Sequence, residues 1–154
     1  MRENVYLVDD DPTVRTSLSW LLEAIQITLQ SYDGARRFLA EADLDQPGCL
    51  ILDLCMPGMS GGELQEALNR IPNTLAIVFL TGEADVATTV SLFKQGAFDL
   101  LEKPVDSDVL LEAIGRACAH SRQLHERLHA RRALQTRLER LSAREREIMA
   151  LVQE

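Results

Sequence analysis

Three short apolar runs in this chain, and a fourth strand-like run, each stop at a side chain that can do chemistry. Val5-Tyr6-Leu7-Val8 ends at Asp9-Asp10-Asp11, and Cys49-Leu50-Ile51-Leu52 ends at Asp53. Ala76-Ile77-Val78-Phe79-Leu80 ends at Thr81, and Phe98 to Leu101 ends at Glu102-Lys103. Carboxylates brought together repel one another and hold their protons more tightly. A hard divalent cation resolves that conflict: Mg²⁺ takes one or two carboxylates and fills its remaining positions with water and phosphate oxygen. The Thr81 hydroxyl can donate to a phosphoryl oxygen, and Lys103 can set a point positive charge beside it. The chain has only two lysines, Lys94 and Lys103, among 16 basic residues, so a lysine at this place is not compositional habit. Carboxylate, cation, hydroxyl and ammonium in one volume suit attack on a phosphoryl group. The isolated acid, Asp53, is the expected attacker, with Asp9 and Asp10 holding the metal. Taken singly, each residue has an ordinary structural reading; Asp11 before Pro12, for instance, is a helix cap. Their recurrence at successive strand ends favours chemistry.

These side chains need elements that bring them together. Val14, Leu18, Leu21, Leu22 and Ile25 follow a helical spacing. Ile27 to Leu29 reads as a weak strand, and Asp33-Gly34 opens a second helix carrying Phe38 and Leu39. After the loop Pro57-Gly58-Met59-Ser60-Gly61-Gly62, Glu63 to Arg70 is helical. Asp85 caps a helix through Gln95 that Gly96 closes, and Asp106 caps a last helix bearing Val109, Leu110, Ile114 and Ala117. Apolar runs without alternation suit strands buried on both faces of a parallel sheet. Five alternations of strand and helix predict an α/β fold, a doubly wound five-stranded parallel sheet of flavodoxin-like order 2-1-3-4-5. In that order the first and third strands are neighbours, so Asp9, Asp10 and Asp53 converge at the carboxyl edge of the sheet, where such folds bind ligands.

The 154 residues are 46% hydrophobic and 26% charged, which excludes a disordered or collagen-like chain. No apolar run approaches the ~18 residues of a membrane span, and the start, Met1-Arg2-Glu3-Asn4-Val5, has no apolar core of a leader peptide. Three cysteines, Cys49, Cys55 and Cys118, are an odd, sparse set that fits a reducing cytoplasm. Residues 1–120 carry 8 basic and 19 acidic side chains, whereas residues 121–154 carry 8 and 5. The acidic part cannot hold nucleic acid by bulk electrostatics. The basic part can hold nucleic acid or be a solvated helical surface, and charge alone favours the second.

With no proline or glycine after Gly115, the last helix can continue from Asp106 to about Leu141 as a long C-terminal extension. Leu124, Leu128, Leu134, Leu138 and Leu141 form its apolar stripe, interrupted by Arg131 and Arg132. Ser142-Ala143-Arg144-Glu145 reads as a capping box and a fresh helix start. His125-Glu126-Arg127-Leu128-His129 matches the helical zinc signature H-E-x-x-H. Catalytic zinc needs a third protein ligand and a shaped cleft, and the one remaining histidine is His120, so chance or adventitious metal binding is the expectation.

The combination Val8-Asp9-Asp10-Asp11, Leu52-Asp53-Leu54-Cys55-Met56-Pro57-Gly58-Met59-Ser60-Gly61, Leu80-Thr81-Gly82 and Glu102-Lys103-Pro104 resembles the receiver domain of bacterial two-component response regulators, over about residues 3–120. The resemblance implies phosphorylation of Asp53 by a cognate sensor histidine kinase or by small phosphodonors. It implies Mg²⁺ (or Mn²⁺) held by Asp10, Asp53 and the backbone carbonyl of Cys55, with Asp9 assisting through water. It implies that Thr81 turns toward the phosphoryl group, that Lys103 contacts it, and that the Lys103–Pro104 bond is cis. Cys55 and Glu83 border the route of the hydrolytic water in such domains and tune the lifetime of the phosphoryl group. The family usually has an aromatic switch residue three before the lysine, where this chain has Leu100. Phe98, two residues earlier, is expected on the same strand face as Leu100.

Leu141 to Val152 resembles the beginning of a helix-turn-helix output domain of the LuxR/FixJ (NarL-like) class. The domain organisation expected is therefore a receiver over 1–120, a helical linker over 121–141 and an incomplete output domain over 142–154. Such a protein is a cytoplasmic phosphoacceptor switch rather than an enzyme with turnover. It would dimerise when phosphorylated, regulate transcription, and meet DNA only through the output domain, with no membrane partner. The alternatives are a stand-alone receiver acting by protein contact and a Mg²⁺-dependent phosphatase. The phosphatase would place D-x-D after the first strand rather than its nucleophile on the third.

Overall fold

The computed structural model describes residues 3–152. Met1–Arg2, where the leader reading begins, and Gln153–Glu154, where the expected output segment ends, lie outside the described residues. The elements are β1 (Val5–Val8), α1 (Pro12–Glu23), β2 (Leu29–Tyr32), α2 (Ala35–Glu41), β3 (Cys49–Asp53), α3 (Gly61–Asn69), β4 (Ala76–Thr81), α4 (Val86–Lys94), β5 (Asp99–Glu102) and α5 (Ser107–Val152). The five strands are parallel in the order β2-β1-β3-β4-β5, the flavodoxin-like arrangement. The chain divides into two compact units, Met1–Arg122 and Gln123–Glu154.

Strand alternation sorts the side chains of the first unit into two apolar layers. Val5, Leu7, Cys49, Ile51, Val78 and Leu80 face Leu18 and Leu22 of α1 and Leu110, Ala113 and Ile114 of α5. Tyr6, Val8, Leu50, Leu52, Ile77 and Phe79 face Phe38 of α2, Leu64 and Leu68 of α3 and Leu92 of α4. Phe38 has no exposed surface and meets Tyr6 and Tyr32 edge-on, with ring centroids 5.6 and 5.4 Å away. At the amino edge of the sheet, buried Ser121 of α5 accepts from Gly48 N–H and donates to the Thr74 carbonyl. Arg122 pairs with Glu3 nearby.

Capping sets several helix starts. Asp11 accepts from Thr13 N–H with Pro12 in the first turn of α1, and Asp85 accepts from Thr88 N–H at α4. The start of α3 lies two residues ahead of the expected Glu63, because Ser60 and Glu63 form a reciprocal capping box that draws Gly61 and Gly62 into the helix. A Cβ on Gly61 would come within 2.4 Å of the Asp53 carbonyl, so only glycine lets α3 begin this close to the tip of β3.

Three expectations shift. The second strand begins at Leu29, not Ile27. The N–H groups of Ile25, Gln26 and Ile27 still bond back to Leu22 and Glu23, and the chain escapes through Gln26 at φ 64°. Phe98 does not share a face with Leu100. It precedes the ladder, which starts at Asp99, and packs in the α1/α5 layer beside His120, while Leu100 packs in the opposite layer. The helix does not restart at Ser142: α5 runs through Ser142–Glu145 to Val152. An N-cap needs non-helical backbone and yields only about 1 kcal/mol; with no glycine or proline nearby, continuing the helix keeps every hydrogen bond. No described helix is long and apolar enough to cross a membrane.

Two outcomes follow from these contacts. Gly61→Ala should lower stability by about 1–3 kcal/mol through overpacking, read as a fall in the urea midpoint. The hydrogen bonds from Thr88 hold the Asp85 carboxyl below its usual value. A group lowered in the folded state adds stability above its unfolded pKa, about 3.9, and loses it as pH falls through the folded value. Asp85→Ala should therefore lower the urea midpoint at neutral pH, and its gap from wild type should narrow below about pH 3.9.

Candidate functional site

Val8 pairs with Leu52, so Asp9 and Asp53 follow side by side at the carboxyl ends of β1 and β3. Alternation from Leu7 and Ile51 sends both toward the α1/α5 layer, and alternation from Leu101 sends Lys103 the same way. Asp9 is fully buried and Asp53 is 6% exposed, while Asp10 lies in the open. Each of the three offers a carboxylate oxygen within 4.8 Å of the others. Lys103 Nζ stands 3.1 Å from Asp9 Oδ2 and 3.4 Å from Asp53 Oδ1. One ammonium therefore spans two of the three acids.

The remaining groups hold this cluster in place. Asp11 N–H donates to Asp9 Oδ1 at 2.9 Å, and Cys55 N–H reaches Asp53 Oδ1 at 3.4 Å. Arg15, one turn into α1, donates to the Asp9 carbonyl at 2.7 Å. That anchor was not read from the sequence; its signal is a basic residue within a turn of the Asp11 cap. Lys103 N–H donates to the Thr81 carbonyl at 2.7 Å, and the Lys103–Pro104 bond is cis.

Electrostatics follow from burial and charge. Burial pushes the Asp53 carboxyl up, and the Asp9 charge adds to it. The charge and hydrogen bond of Lys103 and the Cys55 N–H pull it down without cancelling the rise. Burial lowers the Lys103 ammonium, but its bond to Asp9 and the charges of Asp9 and Asp53 outweigh that, and its pKa is raised. The three carboxylates are hard oxygen donors that could hold a metal ion.

Thr81 is buried at the neighbouring strand tip, but its hydroxyl donates to the Glu83 carbonyl at 3.0 Å and accepts from Glu83 N–H. It follows Ile77 and Phe79 and so belongs to the opposite face from Asp53. Glu83 and Cys55 are exposed on the two loops flanking the cluster. Leu100 is half-buried in the layer of α2, α3 and α4. In the second unit, the His125 and His129 rings lie 4.3 Å apart between centroids. Among the described residues, Asp9, Asp10 and Asp53 form the one group of three or more potential metal ligands, and neither histidine belongs to it.

Residues 5–115 match the family model described as the response regulator receiver domain. The chain belongs to that family. This receiver is 41% identical to the C4-dicarboxylate transport transcriptional regulatory protein DctR of Rhodobacter capsulatus, covering all of this chain and 79% of DctR. It is 37% identical to the transcriptional regulatory protein TdiR of Thauera aromatica, covering 94% of this chain and 64% of TdiR. Among solved structures it resembles the response regulator StyR at 39% identity and a TM-score of 0.77, covering 93% of this chain and 70% of that one. The chain thus spans about two-thirds to four-fifths of the length of these relatives.

Lys103→Met in this receiver leaves Asp9 and Asp53 facing each other with no counter-charge. Removing one partner of a buried pair costs about 3–5 kcal/mol, and the partial exposure of Lys103 reduces this to about 2 kcal/mol. The unfolding free energy read from urea denaturation should fall by that amount in metal-free buffer, and millimolar Mg²⁺ should recover part of the loss.

Proposed function

We propose that this chain is a phosphorylation-operated switch in which Asp53 accepts a phosphoryl group from a sensor histidine kinase. The observation that carries the reading is the meeting of three carboxylates at two adjoining strand tips with Lys103 across two of them. An Asp53 oxygen attacks phosphorus as the bond from phosphorus to the kinase imidazole nitrogen breaks. The imidazole leaves with the electron pair, and an acyl phosphate forms on Asp53. Asp9, Asp10, Asp53 and the backbone carbonyl of Cys55 would hold Mg²⁺ or Mn²⁺. A bound divalent cation supplies positive charge against the phosphoryl oxygens and the crowded acids.

Lys103 already spans Asp9 and Asp53, so its charge opposes, without cancelling, the burial that favours protonated Asp53. To reach a phosphoryl group, the Thr81 hydroxyl must leave the Glu83 backbone. That exchange ties phosphorylation to the β4–α4 loop, a local change of hydrogen bonding with a surface readout. Cys55 and Glu83 flank the approach of hydrolytic water and set the lifetime of the acyl phosphate. The readout runs through α4, β5 and α5, with dimerisation of the phosphorylated form.

Residues 1–120 are the receiver in this reading, 121–141 a helical linker, and 142–154 the beginning of a helix-turn-helix output domain that contacts DNA. The names of DctR and TdiR, both transcriptional regulatory proteins, support transcriptional control as the output. The setting is cytoplasmic.

Incubation with acetyl phosphate and Mg²⁺ should add the mass of one phosphoryl group to the wild type, read by intact mass spectrometry. Asp53→Asn and addition of a chelator should each abolish the gain. A wild-type chain that gains no mass, or an Asp53→Asn chain that gains as much, contradicts the assignment.

A further inference from the structure

Helix α5 continues unbroken through the second unit, and every residue from His129 to Leu151 is exposed. Leu134, Leu138, Leu141 and Ile148 are each more than half exposed. A helix in water owes most of its stability to packing an apolar face, so four large apolar side chains left in solvent call for a partner. With Glu145 among them, they follow steps of four, three, four and three residues. That is the heptad spacing of a left-handed coiled coil, whose seam is made of a and d positions. In this register Leu134, Leu141 and Ile148 take d, and Leu138 and Glu145 take a. Arg131 and Arg132, which interrupt the leucine stripe, lie ahead of the seam.

The charges beside the seam select its occupant. An unrelated apolar helix would leave the Glu145 carboxylate in the contact without a counter-charge, which is costly. A second copy of this helix supplies one. Arg137 and Arg144 hold g positions. In a parallel, in-register pair, each g residue lies beside the following a residue of the other helix. Arg144 then meets Glu145 of the second copy, and Arg137 lays its aliphatic stem over Leu138 of the second copy. Two-fold symmetry makes each contact twice. An antiparallel pair would set g against g and bring Arg137 to Arg144, two like charges.

We propose that residues 134–148 of α5 pair with the same residues of a second copy of this chain as a parallel two-stranded coiled coil. The seam crosses from the stretch read as a linker into the stretch read as the start of an output domain, over which α5 has no break. The contact needs no phosphoryl group, so its test stands apart from that of the switch.

The test is sedimentation equilibrium of the whole chain carrying Asp53→Asn, in metal-free buffer, where no acyl phosphate forms. The average mass should rise from one chain to two as protein concentration increases. Leu138→Asp, a change at an exposed position, should raise the dissociation constant about tenfold or more. Arg144→Glu and Glu145→Arg should each weaken the pair about threefold, and the two together should restore it. A chain that stays monomeric to millimolar concentration, or a dimer indifferent to Leu138→Asp, would overturn the proposal. So would a double exchange no better than either single change, or a dimer that Arg144→Glu tightens, which is the mark of an antiparallel pair.

Discussion

Two carboxylates held out of water at adjoining strand tips repel each other, and the rest of the receiver is arranged around that repulsion. Asp9 and Asp53 sit where β1 and β3 end side by side, and Asp10 adds a third acid at the rim. Crowded acids favour protonation, and Asp53 is pushed that way by burial first and by Asp9 second. Lys103 opposes this from β5, two strands further along the sheet. The balance is unequal in charge, with three acids and one ammonium in a cluster that could hold a metal ion.

The scaffold holds this arrangement by backbone devices more than by side-chain packing. Asp11 caps α1 while its own N–H ties down Asp9, and Arg15 fixes the Asp9 carbonyl from the same helix. Gly61 lets α3 start against the Asp53 carbonyl. The Ser60–Glu63 capping box then fixes the entry of that helix. Bonds from Leu54 N–H to the Leu80 carbonyl and from Lys103 N–H to the Thr81 carbonyl extend the sheet past the ladders that carry the site. An acidic group placed on such tips is oriented by the sheet itself, with few rotatable bonds left to order.

Thr81 and Leu100 belong to the other face. Both follow strand alternation into the layer of α2, α3 and α4, away from the layer shared by Asp9, Asp53 and Lys103. Phe98 lies across the sheet from Leu100, with Arg116 5.9 Å over its ring and His120 beside it. An aromatic ring therefore sits in the α5 layer, anchored by a cation. Leu100, on the opposite side, is an aliphatic side chain packed in the layer of α2, α3 and α4.

Much of this was legible in the residues themselves. Uninterrupted apolar runs at β1, β3 and β4, each ending in a polar group, are sufficient to predict a parallel sheet and to put Asp9, Asp10 and Asp53 at one edge. A strand buried on both faces tolerates no charge until it leaves the sheet. Asp11, Asp85 and Gly96 marked helix ends because capping and left-handed backbone are local properties. Local sequence could not decide where β2 begins, because the closing turn of α1 absorbs Ile27. It misplaced Phe98, because alternation holds only inside a ladder, and it broke α5 at Ser142, because a capping motif competes with an unbroken helix on either side. The Thr81 hydroxyl on the Glu83 backbone and the Arg15 anchor were decided by tertiary structure alone. Each depends on which groups remain unsatisfied after distant segments meet, and that accounting has no trace in the order of residues.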